Sequence, residues 1–427
     1  MKKQTLIIIT ALVLVIILIL GIVFFVVSKS TTTGSVFPSS FSSLFGDDGG
    51  ILGDLFGLDD TQETTSNEEN STIPPGTLPA LRQLYPYPIS GMKLLSKETT
   101  DESGNKTREL FVRIMERSTG NIYDISVASN KATRITNTTY AETQESFFSQ
   151  DGTHVISRSI AENGSTVTTT AFDIILGGED VTGTDIDESI GSLKERFSKT
   201  NVTSLSVSPE GTRIFTVSDK SAGSSHDRFS FTDESAKQLL SSPLSEWISE
   251  WTKSDTVYLT TKPSAGVPGY AYTLDANTGS SLTKLAGGIP GMTLHMSSKK
   301  NLGLIGSGSR SSLTLSLLKD DGITSLPLST LPEKCSWNDT DTGIYCGVPS
   351  YIPSASYPDA WYKGTVSFED NIWYMNENTG ELLFLASPSD YGLPSLDIIN
   401  PEIDTEEHRL IFMNKNDMTP WILELDF

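Results

Sequence analysis

The feature of the chain that most constrains its fold is a strand–turn–strand pattern that recurs along its length. In residues 205–218, LSVSPEGTRIFTVS, apolar and polar residues alternate up to Ser-Pro-Glu-Gly-Thr, and the alternation then resumes. Alternation with a period of two is typical of a half-buried β-strand, and glycine supplies the positive φ that tight hairpin turns demand. Similar stretches begin at Glu145, Ser245, Met292 and Leu396. The pattern predicts a series of antiparallel hairpins, and it favours an architectural over a catalytic role for residues 208–212.

A second recurring element follows several of these hairpins at a fixed place. It consists of a strand, a turn rich in Asn or Ser and an outer strand, as in TGNIYDISVASNKATRI, YAYTLDANTGSSLTKL and NIWYMNENTGELLFLA. The repeating unit therefore has four strands and a period of about 40–55 residues, which matches one blade of a β-propeller. Helical patterning is weak, and residues 190–198, IGSLKERFS, are the segment whose spacing most favours a short amphipathic helix.

Two of the turns resemble the repeat of a known family. SQDGTHVI at residues 149–156 and SPEGTRIF at residues 208–215 are similar to the S-P-D-G-x-x-I/L repeat of TolB-like, WD40-like β-propellers. The resemblance extends over residues 78–427, and it implies an all-β propeller that binds protein partners by one face or by its central channel. The Trp-Asp and Gly-His signatures of strict WD40 repeats are absent from the sequence, so no property of that subfamily is expected of this chain.

The repeats favour seven four-stranded blades, with six or eight as alternatives. The seven units are residues 91–137, 143–200, 202–243, 244–288, 289–331, 332–387 and 388–427. The last unit ends in PWILELDF, which reads as its third strand, whereas Leu81 to Leu84 reads as an outer strand with no blade of its own. We therefore expect residues 80–85 to pair with residues 421–426 and close the ring, which protects the exposed strand edges.

The N-terminal segment predicts a membrane anchor. Residues 6–27 contain no charged side chain, and a helix of that length spans about 33 Å, enough to cross a bilayer core. A cleaved signal peptide is the alternative, but its apolar region is shorter and ends in a small-residue cleavage site. Because Lys2 and Lys3 precede the helix, residues 1–28 are expected to form a cytoplasmic N-terminus and single-pass anchor, with the rest of the chain extracytoplasmic.

Residues 29–77 read as a flexible, acidic linker rich in Ser, Thr and Gly. A coil of about 50 residues has a span of roughly 40 Å, so it would hold the folded part, residues 78–427, away from the bilayer. Within the linker, residues 41–60 place apolar side chains at helical spacing, as at Phe41 and Phe45. This pattern is typical of a docking helix for a partner, of an unstructured stalk or of a segment resting on the membrane surface.

The two cysteines, Cys335 and Cys346, predict a disulfide. Residues 338–343 read as a polar loop between two short strands, and if Trp337 pairs with Ile344, then Cys335 faces Cys346. Directly opposed antiparallel residues lie about 4.5–5.5 Å apart, within disulfide reach. Such bonds persist outside the cytoplasm, which agrees with the expected topology. Two reduced, buried thiols are the alternative.

The charge of the chain and the motifs that it lacks exclude several classes of function. The formal net charge of −22 argues against binding to nucleic acid or anionic lipid, because those partners require clustered Lys and Arg. The sequence contains no Gly-x-Ser-x-Gly elbow and no Gly-rich phosphate loop, so neither a catalytic residue nor a cofactor is predicted. The four histidines are scattered and no metal site is predicted; residues 339–343 resemble the start of a calcium loop, but a tight hairpin explains them equally well.

One stretch, residues 347–368, breaks the repeat. It carries the aromatic residues Tyr351, Tyr357, Trp361 and Tyr362 between prolines, which suits recognition of a partner protein or glycan. The alternative is that these aromatics pack over the propeller face or in its channel.

The leading hypothesis is a membrane-tethered propeller that serves as a protein-interaction or cell-envelope scaffold module. A glycan- or peptide-processing enzyme with carboxylates at the channel mouth is the main alternative, and a structural spacer is a minor one.

Overall fold

The computed structural model describes residues 78–100, 106–161, 164, 166–177, 190–280, 282–404, 406 and 408–425. Within them, 28 strands form seven antiparallel sheets of four strands each, and these sheets are the seven blades of a β-propeller. The predicted anchor, residues 6–27, the linker, residues 29–77, and its segment 41–60 lie outside the described residues. Among the residues that are described, no helix has the length and apolar character needed to cross a bilayer.

The chain enters the ring through β1 (Leu81–Gln83), the outer strand of blade 7, and then builds the blades in sequence. Blade 1 contains β2 (Ile89–Thr100), β3 (Lys106–Glu116), β4 (Ile122–Ser126) and β5 (Ala132–Arg134). Blade 2 contains β6 (Thr143–Phe148), β7 (His154–Ile160), β8 (Val167–Ile175) and β9 (Ser192–Thr200). Blade 3 contains β10 (Val202–Val207), β11 (Arg213–Lys220), β12 (Gly223–Ser230) and β13 (Lys237–Ser242).

The remaining blades follow the same order. Blade 4 contains β14 (Trp247–Lys253), β15 (Thr256–Thr261), β16 (Pro268–Asp275) and β17 (Thr283–Pro290). Blade 5 contains β18 (Thr293–Met296), β19 (Gly303–Ser309), β20 (Ser312–Lys319) and β21 (Gly322–Ser325). Blade 6 contains β22 (Cys335–Trp337), β23 (Gly343–Pro349), β24 (Asp370–Asn376) and β25 (Leu382–Ala386), with the short helix α1 (Asp359–Tyr362) between β23 and β24. Blade 7 contains β26 (Ile398–Ile403), β27 (Arg409–Asn414) and β28 (Thr419–Glu424), together with β1.

The hydrophobic core is a ring of clusters between neighbouring blades. Each of seven clusters takes its side chains from two adjacent sheets, as where Ile156 of β7 packs in one cluster with Ile214 of β11. A blade therefore buries both of its faces, and its second strand is largely enclosed. In β11, Ile214, Phe215 and Val217 have no exposed surface. This explains why such strands carry consecutive apolar residues, whereas one-sided sheets show strict alternation.

The turn between β10 and β11 shows how the sequence repeat encodes the packing. Gly211 donates its backbone N–H to Ser208 O at 2.7 Å, and the Ser208 hydroxyl accepts the N–H of Arg213 at 3.1 Å. Gly211 has a φ of +64°, and a Cβ there would lie 2.0 Å from the backbone nitrogen of Gln150, in the equivalent turn of blade 2. The glycine is therefore required both by the turn and by the contact between two blades.

One predicted helix is wrong. Residues 190–198 carry apolar side chains at helical spacing, but the structure forms the outer strand β9 there. The buried residues of β9 are Leu193 and Phe197, four positions apart, and that spacing fits both a helical turn and two strand repeats. Pairing with β8 decides between the two, because residues 192–200 pair antiparallel with residues 168–175, interrupted by one bulge, and so satisfy backbone groups on the inner edge of β9.

The ring closes between the two ends of the folded part. Strand β1 pairs antiparallel with β28, with Leu81 opposite Leu423 and Gln83 opposite Trp421, which is the pairing expected from the sequence. Arg82 strengthens the junction: its guanidinium lies 3.0 Å from the Glu424 carboxylate and donates to Val127 O of blade 1 at 2.8 Å. Residues more than 300 positions apart in the chain thus share one sheet.

We expect truncation of Leu81 to destabilise the whole ring. Leu81 is 1% exposed in the core between blades 6 and 7, so Leu81→Ala should lower the free energy of unfolding by about 2–5 kcal/mol. The matched control is Leu383→Ala, in the outer strand of blade 6, where the side chain is 38% exposed and the loss should be about 0.5 kcal/mol. Urea unfolding followed by tryptophan fluorescence measures both, and equal losses would contradict closure through β1.

Candidate functional site at the capped end of the channel

The candidate site lies at the end of the ring where the first strand of every blade begins, which we call the capped end. First strands contact one another at four of the seven junctions between blades, and we infer that the first strands surround the propeller axis. The connection between β23 and β24, residues 350–369, is long and contains α1; we call it the cap segment. Turns between second and third strands, and between fourth and first strands of successive blades, open at this same end.

The cap segment is held by blades on both sides of its own. Its Ala355 carbonyl accepts the N–H of Ser311 at 2.9 Å, and Tyr357 donates its N–H to Ser309 O at 3.2 Å, both in blade 5. The Asp359 carboxylate, at the start of α1, accepts the Ala265 N–H of blade 4 at 2.5 Å. On the other side, the Trp361 indole N–H donates to Asp397, next to β26 of blade 7. The cap segment therefore lies across the ends of blades 4 to 7.

The four aromatic residues predicted to bind a partner are divided by the structure. Tyr357 and Trp361 are 0% and 4% exposed and form a small core with Leu331 and Phe368 under the cap segment. Tyr351 and Tyr362 are 71% and 40% exposed. The alternative interpretation, that these aromatics pack over the propeller face, therefore applies to Tyr357 and Trp361. Tyr351 and Tyr362 are available at the surface.

The disulfide joins the first two strands of blade 6 beneath the cap segment. Cys335 and Cys346 are bonded, and the register is the expected one, with Cys335 opposite Cys346 and Trp337 opposite Ile344. Both residues are buried in the core between blades 5 and 6. Because β23 leads directly into the cap segment, the bond fixes the strand from which that segment departs.

A buried cluster of charges lies directly under α1, and the sequence did not indicate it. The Lys334 ammonium lies 2.6 Å from Asp370 Oδ2 and 2.5 Å from Asp397 Oδ1, and all three side chains are inaccessible to solvent. Each residue stands at the start of a strand at the capped end, namely β22, β24 and β26. The residues are too far apart in the chain for any local pattern to connect them.

Burial beneath the cap segment shifts the pKa values of Asp370 and of the neighbouring Lys415. Burial raises the pKa of Asp370 to about 6, although the nearby Lys334 ammonium opposes the rise. Burial also lowers the pKa of Lys415, in the turn between β27 and β28, whose ammonium lies 4.9 Å from the centre of the Trp361 ring. The rings of Trp361 and Phe368 lie 5.2 and 5.3 Å from the Lys334 ammonium. The cluster is thus a water-excluded junction that ties the cap segment to blades 6 and 7.

A second polar group lies on the inner strands. His295 Nδ1 of β18 is 2.7 Å from Glu250 Oε1 of β14, and the same carboxylate accepts the Met296 N–H at 3.1 Å. Their side chains remain 28% and 23% exposed. Glu333, just before β22, accepts a hydrogen bond from the Tyr362 hydroxyl of α1. Because these residues belong to first strands or precede them, we infer that their exposed parts face the axis of the ring.

The protonation of this inner group is set by burial and by mutual charge. Burial opposes protonation of His295, but the charge of Glu250 and its hydrogen bond outweigh burial and raise the pKa of the imidazole. Burial raises the pKa of Glu333, and the Glu250 charge adds to that rise, while the Tyr362 hydrogen bond opposes it. The Glu250 carboxylate therefore favours the protonated form of His295, and burial favours the neutral form of Glu333. In the described part of the chain, no group of three or more His, Cys, Asp or Glu residues is arranged to hold a metal ion.

Comparisons with known proteins yield similar structures only. No family model and no curated protein matches the chain. An oligogalacturonate lyase in complex with manganese superposes with a TM-score of 0.49 at 10% identity, covering 79% of this chain and 98% of the lyase. A hydrazine synthase chain from Kuenenia stuttgartiensis gives 0.48 at 9% identity, covering 77% and 95%. A candidate TolB from Agrobacterium tumefaciens gives 0.37 at 11% identity, covering 59% and 86%. The assignment as a seven-bladed propeller rests on the strand order of this chain itself.

We expect His295 to titrate above its ordinary pKa of about 6.5, and Glu250→Gln to lower that pKa, because burial is then opposed by the Glu333 charge alone. A raised pKa means that the pair stabilises the fold fully below about pH 6.5, and that this stabilisation is lost as the pH rises through the folded-state pKa. NMR titration of the imidazole signals, with His295→Gln for assignment, measures the shift. A wild-type midpoint at or below 6.5 would contradict the assignment.

Removing the disulfide should destabilise blade 6. The bond closes a loop with a sequence separation of 11, for which chain entropy predicts a loss of about 3 kcal/mol in the double variant Cys335→Ala/Cys346→Ala. Reduced wild-type protein is the matched control and should unfold at a similar urea concentration. Identical unfolding of the oxidised wild type and the double variant would show that the bond contributes no stability.

Proposed function

We propose that the protein is a membrane-tethered, extracytoplasmic propeller that serves as a protein-interaction or cell-envelope scaffold module, with the capped end as its contact surface. The observation that carries the proposal is the distribution of exposed aromatics. Tyr87, Tyr351, Tyr362 and Tyr391 are 40–71% exposed, and all belong to connections that open at the capped end. Among the described residues, Phe384 on the outer strand β25 is the exposed aromatic that lies elsewhere.

Tyrosines in this arrangement suit partner recognition. A tyrosine offers a large apolar surface and a hydroxyl while losing the freedom of only two side-chain torsions on binding, and such residues are enriched among the residues that dominate binding energy. The exposed apolar side chains Leu244 and Val267 belong to connections at the same end. The support beneath Tyr351 and Tyr362 is rigid, because the buried charge cluster and the contacts of Asp359 hold the cap segment in place.

The proposed tether to the bilayer comes from the N-terminal sequence. It rests on the uncharged residues 6–27 and on the polar residues 29–77, which together would present the propeller at a distance from the bilayer. The net charge of −22 keeps the head from adsorbing to an anionic lipid surface, so the capped end would be free to meet a protein or glycan of the envelope.

Processing of a glycan or peptide is the second candidate function, and one observation favours it. Glu250 and Glu333 belong to the same inner group, and burial together with the Glu250 charge raises the pKa of Glu333, which suits a general acid. Against it, Glu250 already accepts hydrogen bonds from His295 and Met296, so it is poorly placed to take a proton from a substrate.

Cross-linking of the full chain on intact cells tests the binding proposal. We expect Tyr351→Ala to reduce recovery of the main cross-linked partner by about five- to thirtyfold, because truncation of a dominant contact residue costs about 1–2 kcal/mol. Phe384→Ala is the matched control, since it removes an exposed aromatic away from the capped end and should leave recovery unchanged. Equal recovery from wild type and Tyr351→Ala would contradict the proposed surface.

The same preparation separates the two candidate functions. Glu333→Gln should leave cross-linking unchanged if the protein is a binding module, because the carboxyl belongs to the inner group and the glutamine oxygen can still accept the hydrogen bond of Tyr362. If the protein processes a glycan, the wild type should release reducing ends from envelope polysaccharide and Glu333→Gln should not. Release of product by the wild type alone would favour the enzyme.

A further inference from the structure

The buried charges of Lys334, Asp370 and Asp397 are not explained by the contact surface. Moving an ion from water into a protein interior costs several kcal/mol, and the penalty is offset only where every charge is well paired. Asp397 is well paired: Trp361 Nε1 lies 3.0 Å from each of its oxygens, and Phe368 donates its N–H to Oδ2 at 3.0 Å. Asp370 is not, because its Oδ1 is buried and has no hydrogen-bond partner.

We propose that Lys334 and Asp370 become joined by an amide bond that forms inside the folded protein. The Lys334 nitrogen lies 2.6 Å from Asp370 Oδ2, so little movement separates it from the carboxyl carbon. The two groups meet with no exposed surface and beneath the rings of Trp361 and Phe368, which exclude the water that would solvate a charged amine or hydrolyse an amide.

The surroundings distinguish the roles of the two carboxyls. Three hydrogen-bond contacts besides Lys334 stabilise Asp397 as a carboxylate, and a carboxylate is a poor electrophile but a competent base. Asp370 is more readily protonated, since burial raises its pKa to about 6. The Ile398 N–H donates to Asp370 Oδ2 at 2.6 Å, where negative charge would develop during attack. Asp370 is therefore the acyl partner and Asp397 the base.

The step balances without an oxidant or an added reactant. Asp397 removes a proton from the Lys334 ammonium, and the free amine forms a bond to Cγ of neutral Asp370. The bond from Cγ to Oδ1 then breaks, and Oδ1 leaves as water with its own proton and a second proton from the nitrogen. The products are one amide, one water and a protonated Asp397. The buried charges are neutralised, which removes the desolvation cost of keeping them.

The bond would lock blade 6 a second time. The disulfide joins its first strand, β22, to its second strand, β23, and the amide would join the residue that precedes β22 to the first residue of β24. Both cross-links lie at the base of the cap segment, so the segment would keep its position even if the outer strands of the blade opened locally.

Tryptic mapping of the full chain, after reduction and alkylation of the cysteines, tests the proposal directly. Trypsin does not cleave after an acylated lysine. We therefore expect residues 320–363 to remain uncut at Lys334 and to be joined to residues 364–409, with a mass lower than the sum of the two peptides by one water. Recovery of separate peptides 320–334, 335–363 and 364–409, with no joined species, would overturn the proposal.

Variants assign the partner residues. Lys334→Met should abolish the joined species, and Asp397→Asn should greatly reduce it by removing the base. Asp370→Asn should still yield the wild-type joined product, because its side-chain amide can lose ammonia in place of water. Lys415→Met is the matched control: it removes the neighbouring lysine of the same cluster and should leave the joined species intact. A fragment spectrum that places the branch on Asp397 would overturn the assignment to Asp370.

Discussion

The structure depends on one constraint: every sheet must bury both of its faces against a neighbouring sheet. Seven clusters of apolar side chains satisfy it, one at each junction between blades, and the set is complete only because the ring closes. Closure depends on β1, whose Leu81 packs into one junction while the following residues Leu84 and Tyr85 pack into the next. A three-residue strand therefore joins the last blade to the first and covers an edge that would otherwise be open.

The same ring determines where a functional site can lie. Connections from different blades meet at two ends, and at one end the cap segment spans four blades and rests on a core of Trp361, Tyr357 and Phe368. Beneath it lie a disulfide and the buried charge cluster of Lys334, Asp370 and Asp397. A segment without regular structure over most of its length is thereby held rigid, and its exposed tyrosines are presented at low entropic cost. Rigidity beneath and aromatic surface above are together what favours binding over catalysis.

Much of the fold could be predicted from the sequence, since its signals are local or periodic. The turn at Gly211, the four-strand unit and the opposition of Cys335 and Cys346 all follow from spacing within a few tens of residues. The expectation failed where spacing is ambiguous: Leu193 and Phe197 fit a helix as well as a strand, and pairing with β8 decided. The prediction was incomplete for the aromatic segment. The pattern indicated four aromatic residues as candidates for binding, but it contains no signal that Tyr357 and Trp361 are buried in the core.

By itself, the sequence determined that this chain forms a ring of four-stranded antiparallel sheets closed by a strand from its own beginning, because period, turn chemistry and strand alternation are properties of neighbouring residues. Only the tertiary structure decided what lies at the capped end. Lys334 and Asp397 immediately precede β22 and β26, and Asp370 begins β24. Nothing near any one of them along the chain marks it as a partner of the others. They meet because the ring brings the starts of β22, β24 and β26 together, and burial there, rather than sequence, raises the pKa of Asp370 and isolates all three side chains from water.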